Sequence, residues 1–126
     1  MPSRVMIVED DANIALLIRY NLEAHGFVVD HVDRGDLAEQ FLNKLDPDIL
    51  LLDWALPGVS GIELCRRIRR EHKNPIPIVF ITARATKADR EYALSCGADD
   101  VIVKPFALAE LLERVSARLP DRAMPA

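Results

Sequence analysis

Five short, nearly unbroken apolar runs recur along the chain, at residues 5–8, 27–32, 49–52, 78–81 and 101–103, and each is followed by a stretch with helical spacing. Runs of this length cannot span a membrane. They lack the strict apolar/polar alternation of a sheet with one wet face, so they fit strands of a parallel sheet covered by helices on both sides. Strand and helix alternating five times predicts a doubly wound α/β domain. Right-handed crossovers then bring every strand-to-helix loop to one edge of the sheet, where ligands bind in open α/β folds.

That edge receives a distinctive set of polar residues. Glu9, Asp10 and Asp11 follow the first run, Asp53 the third, Thr82 the fourth and Lys104 the fifth. Asp53 is followed by Trp54-Ala55-Leu56-Pro57-Gly58, a turn signal that closes its strand. Taken singly, each residue is a cap, a turn residue or a solvated side chain. Four strand ends supplying an acid pair, an acid, a hydroxyl and a cation point to one site.

The helices are read from their punctuation. Asn13 or Asp11 caps the first, Leu16, Leu17, Tyr20 and Leu22 give it an apolar face, and Gly26 stops it. The second covers residues 33–44, with Leu37, Ala38, Phe41, Leu42 and Leu45 at helical spacing and Pro47 beyond it. The third runs to about Glu71 with Ile62, Leu64, Cys65 and Ile68 inward and Arg66, Arg67, Arg69 and Arg70 outward. Arginines near a helix C-terminus also complement its dipole, so they do not by themselves signal nucleic acid. The fourth, residues 85–94, is poorly amphipathic, and the last carries Leu108, Leu111, Leu112 and Val115.

With 126 residues and half of them hydrophobic, the chain has enough for one self-supporting domain. The formal net charge of −4 leaves no electrostatic footprint for nucleic acid. Cys65 and Cys96 form neither a disulfide framework nor a zinc motif and fit reduced thiols of a cytoplasmic protein. Only four apolar residues follow Arg4 before the acids, so no signal peptide is expected. The domain is expected over residues 1–119, with 120–126 a tail or the start of a linker.

A cluster of acids at one point is self-repelling unless a cation joins it. Oxygen ligands without imidazole or thiolate favour Mg²⁺ or Mn²⁺ over zinc. A carboxylate can attack phosphorus and become an aspartyl phosphate, and the transferred group needs its equatorial charge clamped. Lys104 can supply a point cation and Thr82 a hydroxyl. Asp10 suits a metal ligand better than Glu9, and which acid binds directly is left open.

In order and spacing, Val8-Glu9-Asp10, Leu52-Asp53 through Gly58, Ile81-Thr82-Ala83-Arg84, Gly97-Ala98-Asp99-Asp100 and Lys104-Pro105-Phe106 resemble the receiver domains of two-component response regulators, most closely those of OmpR/PhoB-type winged-helix transcription factors. The resemblance covers residues 4 to about 119. It implies a flavodoxin-like (CheY-like) sheet of order 2-1-3-4-5 and Mg²⁺-dependent transfer of a phosphoryl group from a sensor histidine kinase to Asp53. It further implies Glu9 and Asp10 as the acid pair, Thr82 and Lys104 on the phosphoryl group, and the Trp54 carbonyl as an additional metal ligand. Receivers of this type form homodimers through helix 4, strand 5 and helix 5. The matching charged positions are Arg90, Asp100, Glu110 and Arg114, with Arg90 and Glu110 pairing across a two-fold axis.

Two departures stand out. The switch position three residues before the lysine, usually Tyr or Phe, is Val101, whose one stiff torsion carries no ring to swing. Transfer to Asp53 should survive this, while its coupling to the dimer face should not be the usual one. The residues also contain no winged helix. This makes the chain either a receiver excised from a longer transcription regulator or a single-domain regulator acting by protein contacts. A degenerate receiver would lack an acid, the threonine or the lysine. A phosphatase would want a second carboxylate near Asp53, where Ala55 stands. The expectation is therefore a phosphoacceptor that catalyses only its own phosphorylation and slow dephosphorylation.

Overall fold

All five apolar runs are strands in the computed structural model, which describes residues 2–119. They are β1 (Arg4–Val8), β2 (Val28–Val32), β3 (Ile49–Asp53), β4 (Ile78–Thr82) and β5 (Asp100–Val103). The helices are α1 (Ala12–Ala24), α2 (Gly35–Leu45), α3 (Gly61–Arg70), α4 (Lys87–Ser95) and α5 (Leu108–Ala117). The strands form one parallel sheet in the order β2-β1-β3-β4-β5. The tail expected at 120–126 lies outside the described residues.

The unbroken apolar runs are explained by the two cores they serve. Met6, Val8, Leu50, Leu52, Ile78, Phe80 and Val101 face a core shared with Ala38 and Leu42 of α2, the inner face of α3 and Ala93 of α4. Val5, Ile7, Ile49, Leu51, Val79, Ile81 and Ile102 face the other, built with Ile18 and Leu22 of α1 and Leu111 and Val115 of α5. Alternate strand residues thus meet different helices, and both sets must be apolar. β2, the most mixed run, is an edge strand with Val28 and His31 exposed. That agrees with its polar residues.

The register fixes where the strands end. Val8 pairs with Leu52, Asp53 with Ile81 and Thr82 with Val103. The residues just past β1 and β5 and the last residues of β3 and β4 are therefore neighbours.

The sequence misplaces one helix face. Leu16, Leu17 and Tyr20 of α1 are 55%, 52% and 72% exposed, and the buried residues are Ala15, Ile18 and Leu22. The buried set has a spacing of three and four, and it comes into view once Ala15 counts as a core residue. Of the two cap candidates, Asp11 is the one used: its Oδ1 accepts the N–H groups of Asn13 at 2.9 Å and Ile14 at 3.2 Å. Gly26, with φ +87°, takes the left-handed conformation that stops the chain after α1.

Other boundaries move by one or two residues. α4 begins after Thr86, whose hydroxyl caps Asp89 N–H at 3.0 Å, rather than at residue 85. Ala93 is the one buried residue of α4, in keeping with its weak amphipathicity. Two of the α3 arginines, Arg67 and Arg69, tie the helix to its neighbours. Arg69 pairs with Asp99 at 3.0 Å and donates to the carbonyls of Asn74, Ile76 and Gly97, stitching α3 to the turns before β4 and β5. Arg67 pairs with Glu39 at 3.0 Å and Glu63 at 3.4 Å.

Candidate phosphoacceptor site

The ends of β1, β3, β4 and β5 surround an open cavity of about 570 Å³, lined by Glu9, Asp10, Asp11, Asp53, Trp54, Ala55, Thr82, Ala83, Arg84 and Lys104. Strand parity explains the grouping. Asp53 continues the alternation of Ile49 and Leu51, and Glu9 that of Val5 and Ile7, so both belong to the α1/α5 side of the sheet. Glu9 keeps its place because its N–H extends the ladder to Val32 O at 3.1 Å.

Asp53 is 7% exposed. Its Oδ1 accepts the Ala55 N–H at 3.3 Å and its Oδ2 the Lys104 ammonium at 3.4 Å. Lys104 also reaches both oxygens of Glu9, at 3.0 and 3.3 Å. The backbone seats this lysine, since Lys104 N–H donates to Thr82 O at 2.8 Å. The Thr82 hydroxyl accepts the Arg84 N–H at 3.0 Å and is nearly buried at the cavity wall. The residues singled out at the four strand ends thus line one cavity, with Asp10 and Asp11 exposed.

One glycine makes the geometry feasible. A Cβ on Gly61 would sit 2.0 Å from the Asp53 carbonyl oxygen, so only glycine lets α3 start this close to the end of β3. The Gly61 N–H donates to the Trp54 carbonyl at 2.9 Å. The Trp54 carbonyl, named above as an additional metal ligand, thus has one of its two lone pairs engaged by the start of α3.

The electrostatics follow from burial. Glu9, 2% exposed, is pushed up to about 7, first by desolvation and then by sharing a hydrogen bond with Asp53, with Lys104 only partly opposing. Burial alone would lower Lys104, but Glu9 and Asp53 outweigh it and hold the ammonium above its usual value. The Lys104 ammonium thus lies between two acids, Glu9 and Asp53. Glu9, Asp10 and Asp53 each offer an oxygen, all within 4.8 Å of one another. Three carboxylate oxygens this close repel one another until a cation such as Mg²⁺ joins them. An all-oxygen donor set suits this hard cation.

The positions expected on the dimer face behave differently. Asp100 is buried and ties two arginines within the chain, Arg114 at 2.6 Å and Arg90 at 3.3 Å. Desolvation alone would raise its carboxyl, but the Val101 N–H and the two arginines hold it below the usual value. Glu110 is exposed on α5. Val101 is buried in the core that contains Phe80 and Ala93, and its carbonyl accepts Arg90 at 3.3 Å.

An aromatic series beside the site was not legible in the sequence. Trp54 packs on Phe80 (centroids 5.8 Å apart) and on Tyr92 of α4 (6.0 Å). Arg84 lies 4.8 Å over Trp54 and Arg66 lies 5.4 Å over Tyr92. These rings come from residues far apart in sequence, and no spacing links them.

Comparison with known proteins agrees with this geometry. The family described as the response regulator receiver domain matches residues 5–116. The phosphate regulon transcriptional regulatory protein PhoB of Rhizobium meliloti is 52% identical over 126 residues, covering 99% of this chain and 55% of that protein. PhoB of Escherichia coli is 42% identical over 118 residues, covering 93% and 52%. The chain thus spans about half the length of these curated relatives. Among solved structures, the BeF3-activated N-terminal receiver domain of Klebsiella pneumoniae RstA aligns with a TM-score of 0.87 at 36% identity, covering 93% of this chain and 98% of that one. Chemotaxis protein CheY4 of Vibrio cholerae, at 23% identity, covers 93% of this chain and 98% of its own with a TM-score of 0.86 and shares the fold.

Proposed function

This chain belongs to the response regulator receiver domain family, and on that premise we propose that Asp53 accepts a phosphoryl group from the phosphohistidine of a sensor histidine kinase. The observation that carries the proposal is the Lys104 ammonium held between Glu9 and Asp53 beside an open cavity. An Asp53 carboxylate oxygen attacks phosphorus, the P–N bond breaks, and its electron pair returns to the donor imidazole. Lys104 then follows the charge from Asp53 onto the phosphoryl oxygens. The Thr82 hydroxyl can turn from accepting the Arg84 N–H to donating to the new group.

Glu9, Asp10 and Asp53 would hold a Mg²⁺ ion. A backbone carbonyl of the segment after Asp53 would complete the set: Trp54 keeps one lone pair beside the Gly61 N–H, and Ala55, also on the cavity wall, offers a second candidate. When bound, this ion supplies positive charge for the transferring group and open coordination positions. The chain acts as an acceptor and not as a turnover enzyme, because Ala55 stands where a hydrolytic acid or base would be needed.

The donor has to approach from the open side of the cavity. An apolar hollow of Ile14, Leu17, Pro105 and Phe106 adjoins Lys104 there. It is the surface on which a kinase would rest while its histidine reaches Asp53. Phosphorylation is read out through α4, β5 and α5, with two copies pairing on that face. In the whole protein the output is transcription regulation by a DNA-binding part, as the PhoB relatives' names suggest. Among the described residues no helix is long and apolar enough to cross a membrane, which fits a cytoplasmic regulator.

Intact-mass measurement tests the central step. With Mg²⁺ and a small phosphodonor the chain should gain one phosphoryl group, and Asp53→Asn should not. An unlabelled native chain, under conditions that label an authentic receiver, would refute the proposal.

A further inference from the structure

A second set of metal-ligating side chains lies where the phosphoacceptor chemistry has no use for it. α3 starts at the carboxyl edge of the sheet, beside Asp53, and runs towards the opposite edge, so the residues after its last turn are remote from the cavity. There Glu71 and His72 meet Glu39 of α2, and each offers one ligand atom within 4.8 Å of the others. Glu39 Oε2 and His72 Nε2 stand 3.2 Å apart. Two ligands at about 2.0–2.1 Å from a tetrahedral zinc ion are separated by about 3.3 Å, so this pair already has the bite of a metal chelate.

The supporting contacts are of the kind that orient ligands. Arg67 donates to the other oxygen of Glu39 at 3.0 Å, leaving Oε2 for the imidazole side. The N–H groups of Glu71 and His72 both donate to Arg67 O, at 2.9 and 3.1 Å, which fixes the backbone of both ligands. Lys73, at φ +50°, then turns the chain away. Arg67 offsets one of the two carboxylate charges. Affinity should therefore fall short of a four-ligand structural zinc site, and a position stays open for water.

We propose that Glu39, Glu71 and His72 form a transition-metal site, of the zinc and cobalt class, that clamps α2 to the end of α3. The chain then carries two cation sites that differ in donor chemistry. The all-oxygen set at Asp53 suits Mg²⁺, and the imidazole-containing set suits a softer ion. The plain alternative is that Glu39 and His72 form only an ion pair braced by Arg67.

Cobalt distinguishes the two, because tetrahedrally bound Co²⁺ absorbs strongly in the visible. The chain is titrated with Co²⁺ in excess Mg²⁺, alongside Asp53→Asn, His72→Ala and Glu71→Gln, with circular dichroism to verify folding. The expected result is one saturable equivalent in the native chain and in Asp53→Asn, with affinity lowered about tenfold or more in both His72→Ala and Glu71→Gln. No saturable binding to the native chain, binding lost in Asp53→Asn, or affinity unchanged in either ligand variant would overturn the proposal.

Discussion

Glu9 sets the pH behaviour of the phosphoacceptor pocket. Burial and the neighbouring Asp53 push its carboxyl up to about 7, against 4.5 for an ordinary glutamate. Between those values the folded state holds a proton that the unfolded state has released, so stability falls as pH rises through the interval. A metal needs the ionised form, so Mg²⁺ affinity should rise across the same interval and flatten above about 7. Trp54, the single tryptophan, lines the cavity and reports the titration by fluorescence. An affinity constant across this range would contradict Glu9 as a ligand. Gly61 is the other sensitive position. Gly61→Ala puts a Cβ against the Asp53 carbonyl, and should lose roughly 1–3 kcal/mol in urea denaturation while slowing phosphorylation, because both clashing partners are held by backbone.

Helices α1 and α4 both leave apolar groups uncovered, for different reasons. On α1 the exposed Leu16, Leu17 and Tyr20 lie off the buried stripe of Ala15, Ile18 and Leu22. Leu17 belongs to the hollow beside Lys104. Leu17→Asp should therefore lower the rate of phosphotransfer from the cognate kinase several-fold and leave labelling by a small phosphodonor unchanged. Equal loss with both donors would place Leu17 in the chemistry instead. α4 is attached to the core by Ala93, and Tyr92 and Leu94 stay partly exposed. An element so lightly packed can shift at low cost in buried area, as a face that changes partners must.

On the proposed reading, a signal from Asp53 to the α4–β5–α5 face would pass from β3 across β4 to β5. Val101 supplies no ring for it and lies in the same core as Phe80 and Ala93. The rings that do connect the pocket to α4 are Trp54 and Tyr92. On β5, Asp100 already binds Arg90 and Arg114 within one chain. An intermolecular Arg90–Glu110 pair would have to compete with that arrangement, so rim charges are expected to select the partner more than to hold it. Val101→Tyr should change the phosphorylation-dependent dimerisation constant, measured by sedimentation with and without a phosphate mimic, more than it changes phosphorylation at Asp53. Identical dimerisation of the two proteins in both states would refute this.

The five apolar runs, their helices and the polar residues that close four of the runs were legible along the chain because a doubly covered parallel sheet demands apolar residues on both parities of its strands. The acid pair, Asp53, Thr82 and Lys104 could be assigned to one edge because parallel strands joined by crossovers all end at the same edge. Contacts between elements could not be read this way. Whether Ala15 or Leu16 faces the sheet depends on a rotation of α1 that its own composition does not resolve. The same holds for Arg69, which joins α3 to Gly97 and Asp99, and for the Trp54–Tyr92 contact and the Glu39–His72 pair. Strand parity is a local property of the chain and can be counted along it. Helix rotation and side-chain reach depend on the surfaces that meet, and those exist only once the sheet has assembled.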